Sequence, residues 1–328
     1  MTAGPGRPMR IVDAAELSRL LQFGPLIEAL AEAFRGDIAV PVRHHHTIPQ
    51  AGGDATLLLM PAWTGSGGSG PRYLGCKIVT VFPGNVGIGL PSLYGQYLLL
   101  SGDTGEPLAM IDGRVLTAWR TAAASALAAH YLARADATHL VMIGAGALAP
   151  RLIRAHMSVR PISRVTLWNR TRTRAEQLAE LLRDDDLGAV EVTVADDLAA
   201  SVREADIVSC ATLSAEPLVR GAWLKTGAHV DLVGGFTPKM READDDAVRR
   251  ARVFVDTRAG AMKEAGDIVD PLSRGVLKES DIQADLFDLC RGTVPGRQTA
   301  DEITLFKSVG TAIEDLAAAK LVWRLIGS

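Results

Sequence analysis

Cysteine is scarce. Cys76, Cys210 and Cys290 are the only three in 328 residues and lie far apart. Their spacing fits neither a metal knuckle nor a disulfide framework, and it points to reduced, mostly buried thiols. An excess of one charge is missing too. Thirty-five Lys and Arg against 38 Asp and Glu leave a net charge of −3. That balance offers no broad attraction for nucleic acid or an anionic membrane, so any bound anion must be held by a local site. No run approaches the roughly 18 to 20 continuous apolar residues of a membrane span. The opening stretch MTAGPGRPMR lacks the apolar core of a signal peptide. These absences predict a cytoplasmic chain with no nucleic-acid or membrane partner. What is present is core material: 48% hydrophobic and 22% charged residues, enough for one large domain or two ordinary ones.

The first part of the chain predicts helices over 14–21 and 25–35, then extended segments over 40–48, 55–63, 73–82, 93–100 and 107–111. Turn-forming clusters separate them: 52–54, 65–71, 83–89 and 101–105. No crossover helix fits between these strands, so the sheet should be largely antiparallel. The Gly/Ser-rich stretch 64–70 predicts a mobile surface loop. An Ala-rich helix follows at about 116–133. From Thr138 onward short apolar strands alternate with helical stretches, at 139–143, 165–168, 190–194, 206–210, 229–233 and 253–256. That alternation predicts the α/β class, with a doubly wound parallel sheet covered by helices. A final helix is expected at about 302–325.

Within the second part, LVMIGAGALA places Gly144, Gly146 and Ala149 between a strand and a helical pattern. This is G-x-G-x-x-A. The first glycine permits the turn, and the second lets backbone approach a pyrophosphate. The small third residue lets helix pack on strand, and the helix N-terminus favours an anion. A plain glycine turn is the bland alternative, but the strand before, the helix after and the further β/α alternation all support a dinucleotide site. An NAD-selective site carries Asp or Glu about 20 residues further on. Here Asn169 stands 25 residues after Gly144, followed by Arg170. A missing carboxylate beside a guanidinium favours a 2′-phosphate, hence NADP(H) over NAD(H). Arg174 is counted with Arg170 on the cofactor side. The alternative makes Arg170, Arg172 and Arg174 a solvated helix entry.

Three cations interrupt apolar or extended segments of the first part: Arg43 before His44-His45-His46, Lys77 in LGCKIV, and Arg120 in TAWRT. A buried cation needs a partner. Arginines clamp carboxylates, and a lysine in such company has its pKa lowered towards the range of proton transfer. Singly, each could equally be a salt-bridge partner or snorkel to an edge. The three histidines do not predict a metal site, because alternate strand residues point to opposite faces and no Cys or carboxylate lies close in sequence.

Lys77-Ile78-Val79-Thr80-Val81-Phe82-Pro83-Gly84-Asn85, Gly89-Leu90-Pro91-Ser92, the stretch 117–125, Gly144-Ala145-Gly146, Val233-Gly234-Gly235 and Phe306-Lys307-Ser308-Val309-Gly310 together resemble the ornithine cyclodeaminase/mu-crystallin family, in the right order over nearly the whole chain. The resemblance implies a homodimer whose α+β substrate and dimerisation domain spans 1–116, completed by the C-terminal helix 302–328, beside a Rossmann NAD(P) domain at 117–301. It implies that Arg43, Lys77 and Arg120 take the substrate-carboxylate and proton-transfer positions. It likewise implies that Gly146, Ala147, Leu148, Asn169, Arg170, Thr212, Val233 and Ser308 contact the cofactor. One position departs from the cyclodeaminase branch. The aspartate that follows Val-Gly-Gly there is Phe236 here, in FTPKMRE, which resembles the ketimine reductase branch. The implied activity is therefore NAD(P)H-dependent reduction of Δ1-pyrroline-2-carboxylate to L-proline and Δ1-piperideine-2-carboxylate to L-pipecolate. The alternatives are a cyclodeaminase, an alanine-type dehydrogenase, or a crystallin-like protein that binds NADP and a small ligand without important turnover.

Overall fold

Alternation of buried and accessible residues between positions 55 and 112 generates a sheet with one face against helices. In the computed structural model, residues 8–50, 53–67, 70–185 and 187–327 are described. The opening MTAGPGR, Gly52 of the first glycine turn, and Gly68 and Ser69 of the glycine-rich loop lie outside the described residues. The chain divides into two compact units, residues 1–120 with 311–328, and residues 121–310.

The first unit holds β1 (Arg10–Val12), α1 (Ala14–Leu20), α2 (Phe23–Arg35), β2 (Ile38–Ala39), β3 (His44–Ile48), β4 (Ala55–Thr64), β5 (Tyr73–Val81), β6 (Leu93–Ser101) and β7 (Pro107–Asp112). Its sheet runs β1-β7-β6-β5-β4-β2, with β3 also on β4. The pairing is antiparallel, as the turn spacing predicts, except that β1 adds in parallel to β7. The single strand expected over 40–48 is two pieces. Pro41 has no N–H to donate to a ladder, so the chain leaves the sheet after Ala39 and re-enters at His44, and Arg43 stands just before β3. Along β5, Gly75, Lys77 and Val79 are turned to the face covered by the closing helix Ala312–Gly327, on which α2 packs, while Cys76, Ile78 and Thr80 are turned away. The outward face carries Ile11, Trp63, Ile78 and Tyr94, which are exposed.

The helix α3 (Gly113–Leu132) starts where the Asp112 side chain accepts the Val115 N–H at 2.8 Å. The boundary between the units falls inside it. The second unit follows with β8 (His139–Ile143), α4 (Ala149–Met157), β9 (Arg164–Trp168), α5 (Arg172–Asp184), β10 (Glu191–Val194), α6 (Leu198–Glu204), β11 (Ile207–Cys210), β12 (His229–Leu232), α7 (Asp245–Arg250), β13 (Ala251–Val255), α8 (Arg258–Glu264), α9 (Gly266–Ser273), β14 (Ile282–Asp285), α10 (Leu286–Arg291) and β15 (Ile303–Lys307). All eight strands are parallel, in the order β10-β9-β8-β11-β12-β15-β13-β14. The expected helix from 302 is corrected here: residues 303–307 are a fully buried strand between β12 and β13, and the helix begins only at Ala312. The run Ile-Thr-Leu-Phe supplies β-branched and large apolar side chains to both faces of a sheet covered on both sides.

Candidate active site and dinucleotide site

In the first unit Lys77 sits on β5, a strand flanked by β4 and β6, and is 2% exposed. Its Nζ lies 2.8 Å from Asp315 Oδ2 and donates to Asp315 Oδ1 at 2.9 Å and to Thr117 Oγ1 at 3.4 Å. Arg120, on α3, donates through Nε to Asp315 Oδ1 at 3.0 Å and through a terminal nitrogen to Glu314 Oε2 at 2.6 Å. Both carboxylates, on the closing helix, are fully buried. Arg43, half-buried, is close enough for its charge to act on both Lys77 and Asp315. The three cations singled out by sequence thus share one neighbourhood within the first unit.

Burial brings the Lys77 pKa down from 10.5 to about 8; Arg120 adds to the fall, and Asp315 opposes it. For Asp315 burial would raise the pKa, but Lys77 and Arg120 outweigh it and hold the carboxyl below its ordinary value. Three cations face two carboxylates, an excess of one positive charge. Sequence reasoning missed Asp315 and Glu314. The signal was of the kind that exposed Lys77, charges inside an apolar pattern (AIEDLAAA), but nothing in the sequence ties positions 314 and 315 to positions 77 and 120.

The histidines of β3 lie opposite β4, His44 at Leu59, His45 at Leu58 and His46 at Leu57, and all three are exposed. Among the described residues no group of three His, Cys, Asp or Glu side chains could hold a metal ion.

In the second unit the chain runs from β8 outward to β9 and β10, then returns to pair β11 on the other side of β8. The carboxyl ends of β8 and β11 therefore bound a switch point, the crevice where open α/β sheets hold ligands. Gly144 turns out of β8 at φ 101°, and a Cβ there would meet the Ala211 carbonyl oxygen at 2.6 Å. A Cβ on Gly146 would meet nothing within 4 Å, so the turn is open above that position. Ala147 and Leu148 lead into α4, whose N-terminus has no side-chain cap among the described residues. An open glycine turn before an uncapped helix start fits a pyrophosphate. Asn169 Oδ1 accepts the Ala145 N–H at 3.2 Å and Nδ2 donates to the Thr171 carbonyl at 2.8 Å, which braces the turn. Arg170 and Arg174 are exposed, whereas Arg172 is ion-paired with Asp196 and Glu176. Thr212, Val233 and Ser308 follow β11, β12 and β15 at the same edge of the sheet. Phe236, just past Val233-Gly234-Gly235, is 51% exposed.

A doubly wound parallel sheet with this glycine turn, in a chain whose other unit buries a lysine of lowered pKa, defines a nicotinamide-dependent oxidoreductase. Residues 9–327 match the model of the ornithine cyclodeaminase/mu-crystallin family, and the chain belongs to that family. It is 38% identical over 319 residues to Δ1-pyrroline-2-carboxylate reductase of Colwellia psychrerythraea, covering 96% of this chain and 98% of that one. The solved structure of the Thermococcus litoralis Δ1-pyrroline-2-carboxylate reductase in complex with NADH and L-proline is similar over 97% of both chains, with a TM-score of 0.88 and 34% identity. An archaeal alanine dehydrogenase dimer with bound NAD has a TM-score of 0.87 and 29% identity over 97% of this chain and 95% of that one.

Proposed function

We propose that this protein reduces the C=N bond of cyclic 2-imino acids, Δ1-pyrroline-2-carboxylate to L-proline and Δ1-piperideine-2-carboxylate to L-pipecolate, with NAD(P)H. The observation that carries this reading is Lys77, buried beside Asp315 and Arg120 with its pKa lowered to about 8. The excess positive charge of the cluster suits a substrate carboxylate, which Arg43 and Arg120 clamp. Lys77 donates a proton to the imine nitrogen, or holds it protonated, and so makes C2 electrophilic; Asp315 keeps the ammonium oriented. When bound, NAD(P)H supplies the hydride that C2 receives. Proton and hydride together convert C=N to CH–NH, with no water and no ammonia in the balance. The rate gain comes from positioning and from electrostatic support of the protonated imine. The names of the related reductases support the substrate class.

The test is NADPH consumption with a panel of cyclic imines and of 2-oxo acids plus amines, beside ammonia release from L-ornithine with NAD⁺. We expect turnover of the cyclic imines and little or no ammonia, because Phe236 has no group to steer water or a departing amine. Ammonia from ornithine without imine reduction would restore a cyclodeaminase, and cofactor binding without any turnover would restore a binding protein.

The finer cofactor reading is a preference for NADPH. Gly144, Gly146, Ala147, Leu148, Asn169, Arg170, Arg174, Thr212, Val233 and Ser308 form the dinucleotide site. Asn169 braces the glycine turn instead of offering a carboxylate to the ribose, and Arg170 stands exposed to meet a 2′-phosphate. Arg170→Ala should weaken NADPH by ~1.5–3 kcal/mol, the loss of a charge-assisted hydrogen bond, and leave NADH unchanged. Equal affinities for both cofactors, before and after the change, would refute the preference. The assembly is a homodimer, in which a second copy covers the apolar outer face of the first sheet around Trp63, Ile78 and Tyr94. Among the described residues no disulfide joins Cys76, Cys210 or Cys290, which is consistent with the cytoplasm.

A further inference from the structure

Outside the Lys77 cluster, the second unit buries another set of ionisable groups that the proposed reaction does not use. Lys307, the last residue of β15, is fully buried, with Nζ 3.3 Å from Asp267 Oδ2 and 3.6 Å from Glu242 Oε2. Neither Lys307 Nζ nor Asp267 Oδ2 has a hydrogen-bond partner among the described residues. As a fastening the ion pairs alone are therefore poor. The informative contacts are those of Glu242. Its Oε1 accepts the Thr212 N–H at 2.7 Å and the Thr212 hydroxyl at 3.0 Å, and its Oε2 accepts the N–H groups of Gly234 at 2.8 Å and Gly235 at 3.2 Å. One carboxylate thus ties the loop after β11 to the loop after β12. The loops approach so closely that a Cβ on Gly234 would lie 1.9 Å from the Thr212 carbonyl oxygen. Asp267 in turn holds the Glu242 backbone, accepting the N–H groups of Glu242 and Ala243 at 2.7 and 2.9 Å. Lys307 adds the third strand end, one residue before Ser308.

We propose that Glu242, held by Asp267 and Lys307, is a positioning residue that fixes the loops after β11, β12 and β15 as a preformed wall of the dinucleotide site. Only a carboxylate can do this: four donors converge on two oxygens, and each oxygen must accept from both of its neighbours. Burial pushes the Glu242 carboxyl up and Asp267 adds to the rise, while the neighbouring ammonium of Lys307 and the hydrogen bonds from the Thr212 N–H and Cys210 favour the charged, acceptor-only form. The inference rests on the reading of Thr212, Val233 and Ser308 as cofactor contacts.

Two measurements test it on the full chain: amide hydrogen exchange of Thr212, Gly234 and Gly235 without ligand, and equilibrium binding of NADPH and NADH. In the unaltered protein the three amides should exchange as slowly as strand amides; loop-like exchange overturns the proposal. Glu242→Gln turns one acceptor into a donor against these N–H groups. It should speed their exchange and raise the dinucleotide Kd about tenfold or more. Asp267→Asn keeps an acceptor for the Glu242 and Ala243 amides and removes one charge, so it is the variant to use if Glu242→Gln does not fold; about a threefold rise in Kd is expected. Ser209→Ala is the control, since its hydroxyl donates to the buried Asp231 at 2.8 Å, apart from the cluster. It should lower the Tm and leave Kd and the three exchange rates unchanged. A folded Glu242→Gln or Asp267→Asn protein with unaltered exchange and Kd overturns the proposal, as does a Ser209→Ala protein that loses affinity to the same degree. Failure of the unaltered protein to bind either dinucleotide would refute the cofactor contacts instead, while the exchange rates still report on the cluster.

Discussion

Each unit buries one lysine, Lys77 against Asp315 and Lys307 against Asp267 and Glu242, and the two lysines are shifted in opposite directions. Burial lowers the Lys77 pKa, and the charges of Arg120 and Arg43 add to the fall against the opposing carboxylate of Asp315, which brings it to about 8. Lys307 has two carboxylates and, among the described residues, no arginine as an ion-pair neighbour or source of its shift. Burial would lower its pKa, but Asp267 and Glu242 outweigh burial and raise it. Burial is near-complete in both cases, so burial alone does not decide which lysine can exchange a proton near neutrality. The sign of the surplus charge does. A lysine in a cationic surplus is ready to give up its proton, and one in an anionic surplus is held as a permanent charge.

Three measurements sharpen or break this contrast. The largest effect is on stability. Lys307→Met strands Glu242 and Asp267 as buried like charges and should destabilise the protein by about 3–5 kcal/mol, read from urea unfolding; unchanged stability would mean that the carboxylates do not depend on Lys307. Next comes Lys77→Met, which keeps most of the side-chain volume. The variant should still bind NADPH, while reductase kcat falls about a hundredfold, roughly 2.7 kcal/mol in barrier. Near-normal turnover would make Lys77 as structural as Lys307. The smallest effect is in the pH profile of imine reduction. The protonated form of Lys77 is the proton donor, and its pKa is lowered to about 8. Its contribution is therefore complete below that value and should decline above it, by up to about tenfold per pH unit. A contribution from Lys77 that persists unchanged well above pH 8 would separate it from proton transfer.

Much of the second unit was legible because its strands are short, apolar and punctuated by helical stretches. The segment 139–143 and the glycine turn after it coincide with β8 and the switch point. β15 was not legible. Ile303–Lys307 runs within five residues of a true helix, and its strand character comes from β12 and β13 on either side, a tertiary cause. β1 is only three residues long and exists by pairing with β7. In the site, Lys77 and Arg120 could be found because a charge inside an apolar run requires a partner. The partners could not be assigned, since helix periodicity does not say that Glu314 and Asp315 face a strand and a helix from the other end of the first unit. Glu242 and Lys307 lay within quoted motifs, yet their meeting depends on strand order in the sheet, which local pattern does not encode.

The first unit is discontinuous in the chain, and this orders the events of folding. Lys77 and Asp315 are 238 positions apart, with the contiguous second unit lying between them. At roughly 5–20 residues per second of synthesis, on the order of 10 to 50 s separate the emergence of the two residues. Throughout that interval the ammonium of Lys77 and the guanidinium of Arg120 lack the carboxylates that make their burial tolerable, so the layer around them must stay hydrated and loose. The intervening unit carries all eight strands of its own sheet and can consolidate during the same interval, which brings the two ends of the first unit within reach before they must meet. The segment made first is thus finished last, and the lysine proposed to transfer the proton is among the last groups to be sealed from water.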